Sequence, residues 1–135
     1  MARRSCWQGG PPRADVWLGD SLGEMALYYG LADVALLGGS FAPLGGQNLI
    51  EAAACACPVV LGPHTFNFAD AAQKACAAGA AQRVDGMAQG VEAACALACD
   101  AVALAAARAA AQGFAQAHRG AAQATADAVR RLLRP

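Results

Sequence analysis

Charge is scarce in this sequence, and neither sign prevails. Charged residues make up 15% of the 135 positions, and ten basic side chains offset ten acidic ones. A neutral chain lacks the positive field that nucleic-acid binding needs. Arg3, Arg4 and Arg13 near one end, and Arg130, Arg131 and Arg134 near the other, read as solvated surface. No run near ~20 residues is continuously apolar and free of glycine, proline and charge, as a helical membrane span requires. No apolar stretch follows Met1-Ala-Arg-Arg, so the start lacks the pattern of a secretory signal. Histidine occurs only as His64 and His118. The cysteines, Cys6, Cys55, Cys57, Cys76, Cys95 and Cys99, form neither C-x-x-C nor a Cys/His block with zinc spacing. They read as small apolar fillers, and a reducing, cytosolic compartment fits them. No metal or cofactor is indicated.

What is present is enough apolar surface to fold. Apolar residues reach 57%, much of it alanine, which favours helix but buries little area per residue. The length suits one compact domain over residues 1–135. Up to about residue 85, short apolar runs alternate with helical patterns and Gly/Pro turns. Asp15-Val-Trp-Leu-Gly, Val34-Ala-Leu-Leu, Pro58-Val-Val-Leu-Gly and Gln82-Arg-Val read as strands. Between them, Leu22, Met25, Ala26 and Tyr29 trace a helix face after a Ser21 cap, and helices are expected from about Gln47 to Ala56 and Phe68 to Ala78. After Met87 the chain reads as alanine-rich helices, with breaks at Gly113 and Gly120. Ala122, Thr125, Ala126, Val129, Leu132 and Leu133 form a stripe expected to pack on the sheet. The fold class is α/β: a Rossmann-like parallel sheet flanked by helices, with alanine-rich helices at the C-terminal end. In such sheets ligands bind beyond the carboxyl ends of the strands, where each Gly-rich loop of this chain falls.

Three motifs carry possible chemistry. Gly19-Asp-Ser-Leu-Gly23 satisfies G-x-S-x-G and spells the Gly-Asp-Ser-Leu block of a serine esterase family. A hydrolase would use Ser21 with a histidine base and an acid in reach, but Ala115 stands where that family would place an Asp before His118. The second motif runs from Gly38 to Glu51 and carries two Gly pairs before a helix. Glycines let backbone N–H groups approach an anion, and a helix N-terminus adds a favourable dipole. Asn48 and Glu51 also fit a capping-box-like pair that needs no ligand, and spacing does not separate the two readings. The third is Leu61-Gly-Pro-His-Thr-Phe-Asn-Phe68. His64 and Asn67 offer hydrogen bonds to a ligand there; the alternative is a turn locked by Pro63 with Phe66 and Phe68 packed inward.

Taken in order, Leu-Gly-Asp-Ser-Leu-Gly-Glu-Met, Tyr-Gly-Leu-Ala-Asp-Val-Ala, Gly-Gly-Ser, Gly-Gly-Gln-Asn and Gly-Pro-His-Thr-Phe-Asn-Phe resemble the C-terminal domain of bacterial 3-deoxy-D-manno-octulosonic acid (Kdo) transferases. The resemblance implies the C-terminal, sugar-nucleotide-binding half of a GT-B glycosyltransferase. Such an enzyme moves Kdo from CMP-Kdo to the lipid A precursor (lipid IVA) in lipopolysaccharide biosynthesis, at the cytoplasmic face of the inner membrane. By the same resemblance the acceptor site, the membrane anchor and the general base belong to an N-terminal half that this chain lacks. The chain is then expected to be a soluble, inactive fragment with no catalytic residue of its own. The donor-binding residues implied are Gly23, Glu24 and Met25 beside the cytosine, Gly39 and Ser40 next to Gly45, Gly46 and Asn48 around the phosphate, Glu51 on the ribose, and His64 and Asn67 near the donor. A non-catalytic nucleotide-binding fragment is the other reading. Three positions depart from the family pattern: Gln47 stands where His is usual, Ala52 where Pro is frequent, and Ser21 where Thr is common.

Overall fold

The computed structural model describes residues 1–133, leaving aside the side chains of 121–124, so Arg134 and Ala122 of the expectations above lie outside the described residues. Among those residues five short strands run parallel in two sheets. In the first, β1 (Ala2–Arg3) pairs with β2 (Trp17–Leu18), Ala2 opposite Trp17. In the second, β3 (Ala35–Leu36), β4 (Val59–Leu61) and β5 (Ala81–Arg83) lie in that order, with Val59 opposite both Ala35 and Ala81. β2 to β5 occupy the four runs read as strands. β1 adds a fifth, and Arg4–Cys6 after it is a 3-10 turn.

β4 is the centre. Val59, Val60 and Leu61 are all buried, as a strand covered on both faces must be. Successive side chains point to opposite faces, so Val59 and Leu61 share one core and Val60 serves the other. The first core lies under α2 (Leu49–Ala54), α3 (Ala69–Ala77) and α5 (Ala101–Ala117). Ala52, Ala53, Ala72, Ala75, Ala111 and Ala115 are its buried helix residues, with Leu49 and Phe114 filling the volume between them. α4 (Met87–Cys99) packs on β3 and β4. Gly90 allows that approach: a Cβ there would lie 2.9 Å from the Phe41 ring and 3.1 Å from Leu36.

Four expectations fail locally. Ser21 does not cap a helix. Residues 21–23 turn through Gly23, at φ +80, and α1 (Met25–Leu31) begins after Glu24, because the Ser21 hydroxyl donates to the Glu24 carboxylate instead. Leu22 is thereby left fully exposed. The helix break falls at Asp100, not Gly113. The Asp100 side chain accepts from the amides of Val102 and Ala103 at 3.0 and 2.9 Å, and the axis turns by 104°. Gly113 costs a long alanine helix only about 1 kcal/mol, and α5 runs through it. The C-terminal stripe on α6 (Ala121–Leu132) does not pack on the sheet: Val129, Leu132 and Leu133 are exposed. Phe66 is likewise exposed rather than packed inward. No single helix among the described residues is long and apolar enough to cross a membrane.

The contrast between buried and exposed apolar residues is measurable. Phe114→Ala should lower unfolding stability by about 3–5 kcal/mol, whereas Leu132→Ser on α6 should stay within about 0.5 kcal/mol of the parent. Urea denaturation followed by circular dichroism reads both.

Candidate functional site

Eight of the eleven expected donor residues come together beyond the carboxyl ends of β3 and β4. The chain leaves β3 through Gly38-Gly39-Ser40, a 3-10 turn, and Ser40 is buried. Its hydroxyl donates to the Leu37 carbonyl at 2.6 Å and accepts the Gly62 amide hydrogen at 2.8 Å. The Ser40 carbonyl accepts from the His64 amide at 2.9 Å. The loop after β4 is therefore fastened to the loop after β3 through one residue. Gly62 makes the fit possible, since a Cβ there would sit 2.4 Å from the Ser40 carbonyl oxygen.

The second Gly pair closes the loop on itself. Gly45 and Gly46 have φ of +90 and +88, a region that side chains other than glycine's rarely tolerate. The Gly46 amide donates to the Gly39 carbonyl at 3.1 Å, and the Gly45 carbonyl accepts from the Asn67 amide at the same distance. Gly46 N–H is thus committed within the fold and is not free to face a phosphate in this arrangement. Asn67 is exposed, and its side chain donates to the Leu44 carbonyl at 3.4 Å. His64 is half-buried beside it.

Asn48 caps α2, its Oδ1 accepting from the Ile50 amide at 3.1 Å. Its Nδ2 donates to Glu51 Oε1 at 3.0 Å. The capping-box-like pair exists, with the Asn48 side chain rather than its backbone as the donor to Glu51. Glu51 stays exposed and keeps a second carboxylate oxygen for a ligand hydroxyl. The capping and ligand readings are compatible here.

Gly23, Glu24 and Met25 lie at the start of α1, which packs on α2. No hydrogen bond among the described residues joins the two groups. Glu24 is held by Arg4 at 2.7 Å, by Ser21, and by the Tyr28 hydroxyl at 3.2 Å. The Ser21 hydrogen bond is the main reason its carboxyl lies below the ordinary 4.5; burial opposes, and Arg4 and Tyr28 add to the lowering. Asp20 is lowered too, chiefly by the Ser5 amide and then the Ser5 hydroxyl. Met25 is exposed, open to a flat ligand. Ser21 has a carboxylate and a phenol as partners, not an imidazole, and His118 bonds the Phe114 carbonyl on α5. The nucleophile constellation is not assembled. Sequence reasoning missed the Arg4–Glu24 pair and the Ser40–Gly62 tie. The first joins residues twenty apart with no local pattern; the second was hinted at by Gly62-Pro63 closing a strand.

Two variants test these constraints. Gly62→Ala should cost about 1–3 kcal/mol through forced displacement of the Ser40 backbone, read as a lowered unfolding midpoint. A carboxyl lowered in the fold stabilises above its ordinary value, and that contribution fades as pH falls through the folded value. Glu24→Gln should therefore destabilise at neutral pH and converge on the parent as the pH drops well below 4.5. Thermal midpoints measured across that range check this.

No family model matches the chain. The 3-deoxy-D-manno-octulosonic acid transferase of Bordetella pertussis is 68% identical over 83 residues, covering 61% of this chain and 19% of that protein. The protein of the same name from Haemophilus influenzae is 47% identical over 66 residues, covering 49% of this chain and 16% of its own length. The match thus spans a small part of either relative. Among solved structures, the C-terminal CMP-Kdo binding domain of WaaA from Acinetobacter baumannii superposes with a TM-score of 0.76 at 32% identity, covering 84% of this chain and 60% of that chain.

Proposed function

We propose that this chain, a homologue of the 3-deoxy-D-manno-octulosonic acid transferases over the stretch it shares with them, is the donor-binding part of such an enzyme and holds CMP-Kdo. The observation that carries the reading is the loop cluster itself. Gly39, Ser40, Gly45, Gly46, Asn48, Glu51, His64 and Asn67 meet at the carboxyl ends of β3 and β4, in a fold similar to that of a domain named for CMP-Kdo binding.

In this reading the Glu51 carboxylate accepts from the ribose hydroxyls, and the mouth of the Gly45–Asn48 loop faces the phosphate. Gly45 and Gly46 leave no Cβ in its path, and the α2 N-terminus contributes its dipole. His64 and Asn67 offer donors to the sugar, and Gly23 to Met25 border the base. Transfer breaks the bond between the Kdo anomeric carbon and the CMP phosphate oxygen, through an oxocarbenium-like transition state. Charge gathers on the departing phosphate, where fixed donors act most strongly. The acceptor hydroxyl, that of the lipid A precursor, loses its proton to a general base as its oxygen bonds the anomeric carbon. The GT-B architecture, the membrane-facing acceptor half and the cytoplasmic face of the inner membrane complete the reading.

Isothermal calorimetry with cytidine monophosphate tests it. Binding should be detectable, and Glu51→Ala should weaken it about ten-fold, the loss of a hydrogen bond to a charged group. Glu51→Gln, which keeps one acceptor, should fall between. No heat with the parent chain, or no change on Glu51→Ala, overturns the reading.

A further inference from the structure

A second concavity shares a wall with the loop cluster. It has a volume of about 560 Å³ and is lined by Thr65, Ala69, Gln73, Cys76 and Arg83. These come from the loop after β4, one face of α3 and the last residue of β5. Arg83 lies opposite Leu61 at the end of β4. Alternation puts it on the same side of the sheet as Ala81, which packs against the core under α3. A guanidinium thus emerges at the carboxyl end of a parallel strand, where ligands of such sheets bind. Thr65 is the shared wall. It follows His64, and a Cβ on Gly46 would lie 3.4 Å from the Thr65 Cα.

The polar groups of this cavity are unspent. Thr65 is 5% exposed and stands at the N-cap of the 3-10 turn Phe66–Phe68. A threonine in that position ordinarily turns its hydroxyl onto the amides that follow. Thr65 makes no such bond, and its hydroxyl has no other partner among the described residues. A buried hydroxyl left unpaired costs free energy, which a ligand acceptor would recover. Arg83 likewise forms no ion pair among the described residues. Asp70, in the first turn of α3, is already neutralised by Lys74 at 2.7 Å. α3 begins at Ala69, in the cavity wall, with no side-chain cap, so its first N–H groups add positive potential there.

We propose that this cavity is a carboxylate subsite, in which the Arg83 guanidinium grips the acid group of the sugar being transferred. Thr65 Oγ1 donates to the same carboxylate, and Gln73 offers its amide at the rim. The identity of the acid rests on the donor reading above. A donor built on an octulosonic acid carries two anionic groups, a phosphate and a carboxylate. The loop cluster, which has no lysine or arginine, offers the α2 N-terminus to the first. The second calls for a cation, and a planar guanidinium matches a carboxylate through two parallel hydrogen bonds. A neutral sugar would leave Thr65 and Arg83 unpaired, so the subsite selects for an acidic one.

Calorimetry with two ligands separates this inference from the nucleotide reading. Cytidine monophosphate has no carboxylate; freshly prepared CMP-Kdo has one. Arg83→Gln should weaken CMP-Kdo by about ten-fold or more, the loss of a charged hydrogen-bonded pair, and leave cytidine monophosphate within about two-fold. Arg83→Lys should fall between. Thr65→Val should weaken CMP-Kdo alone, and Thr65→Ser, which keeps the hydroxyl, should restore it. Arg119→Gln, an exposed cation elsewhere, should change neither ligand. Free Kdo titrated into the chain without nucleotide, followed by nuclear magnetic resonance, should shift the amides of Thr65 and Arg83, and Arg83→Gln should abolish those shifts. That arm stands even if cytidine monophosphate gives no heat. Equal weakening of both ligands by Arg83→Gln overturns the proposal and makes the phosphate the occupant. Unchanged CMP-Kdo affinity in Arg83→Gln, or Kdo shifts that bypass Thr65 and Arg83, overturns it as well.

Discussion

The Ser40 hydroxyl sits between the Leu37 carbonyl and the Gly62 amide, fully removed from water. A buried hydroxyl with both functions used specifies geometry, because either bond lost leaves a polar group stranded. Here it fixes the spacing between the exits of two neighbouring parallel strands. The loops that follow inherit that spacing. His64 hangs from the Ser40 carbonyl, Gly46 from Gly39, and Asn67 from Gly45. The binding surface proposed for the donor is thus a consequence of how β3 and β4 end. Glycines at 39, 45, 46 and 62 are tolerances in that tie, each marking a place where backbone meets backbone or side chain closely.

Beneath the loops, the alanine content that looked uninformative sets the distance between layers. α2, α3 and α5 present Ala52, Ala53, Ala72, Ala75, Ala111 and Ala115 to the same core. Small side chains let these helices approach the sheet and one another, while Leu49 and Phe114, with Tyr29 from α1, supply most of the bulk there from the helices. Such a core buries modest area per residue, so its stability depends on covering every face. The first sheet does not meet that condition. Trp17 of β2 and Trp7, which follows the 3-10 turn after β1, contact edge to face at 5.7 Å beside an open cavity.

Much of the second sheet could be read from the chain because the relevant signals are local. Pro58-Val-Val-Leu-Gly is apolar throughout and bounded by turn residues, and β4 follows from that alone. Asn48 and Glu51 announce the start of α2 three residues apart. Readings failed where two local rules competed. Ser21 fits both a cap and a partner for Glu24; the carboxylate prevailed, with Arg4 fixed twenty residues away. Asp100 outweighed Gly113 because a side chain capping two amides ends a helix more decisively than one flexible residue weakens it. The stripe on α6 has helical spacing, but spacing says only that apolar groups share a face, not that another element covers it. The loop cluster could be located from the positions of glycine after strands. The roles assigned to its residues came from resemblance, since neither spacing nor charge singles out Glu51 or His64.

Charge placement has a consequence for chemistry. Several cations of the described residues are already committed: Arg4 to Glu24, Lys74 to Asp70, Arg108 to Asp33 and Arg130 to Asp127. The loop cluster contains no lysine or arginine, and Gln47 places a neutral amide where the related pattern has an imidazole. A departing phosphate stabilised at this surface would be met by neutral N–H donors and a short helix dipole, with His64 as the cluster's imidazole. Neutral donors bind and orient an anion but compensate developing charge less strongly than a cation does. A surface of this kind is better suited to holding a nucleotide sugar in place than to driving its cleavage.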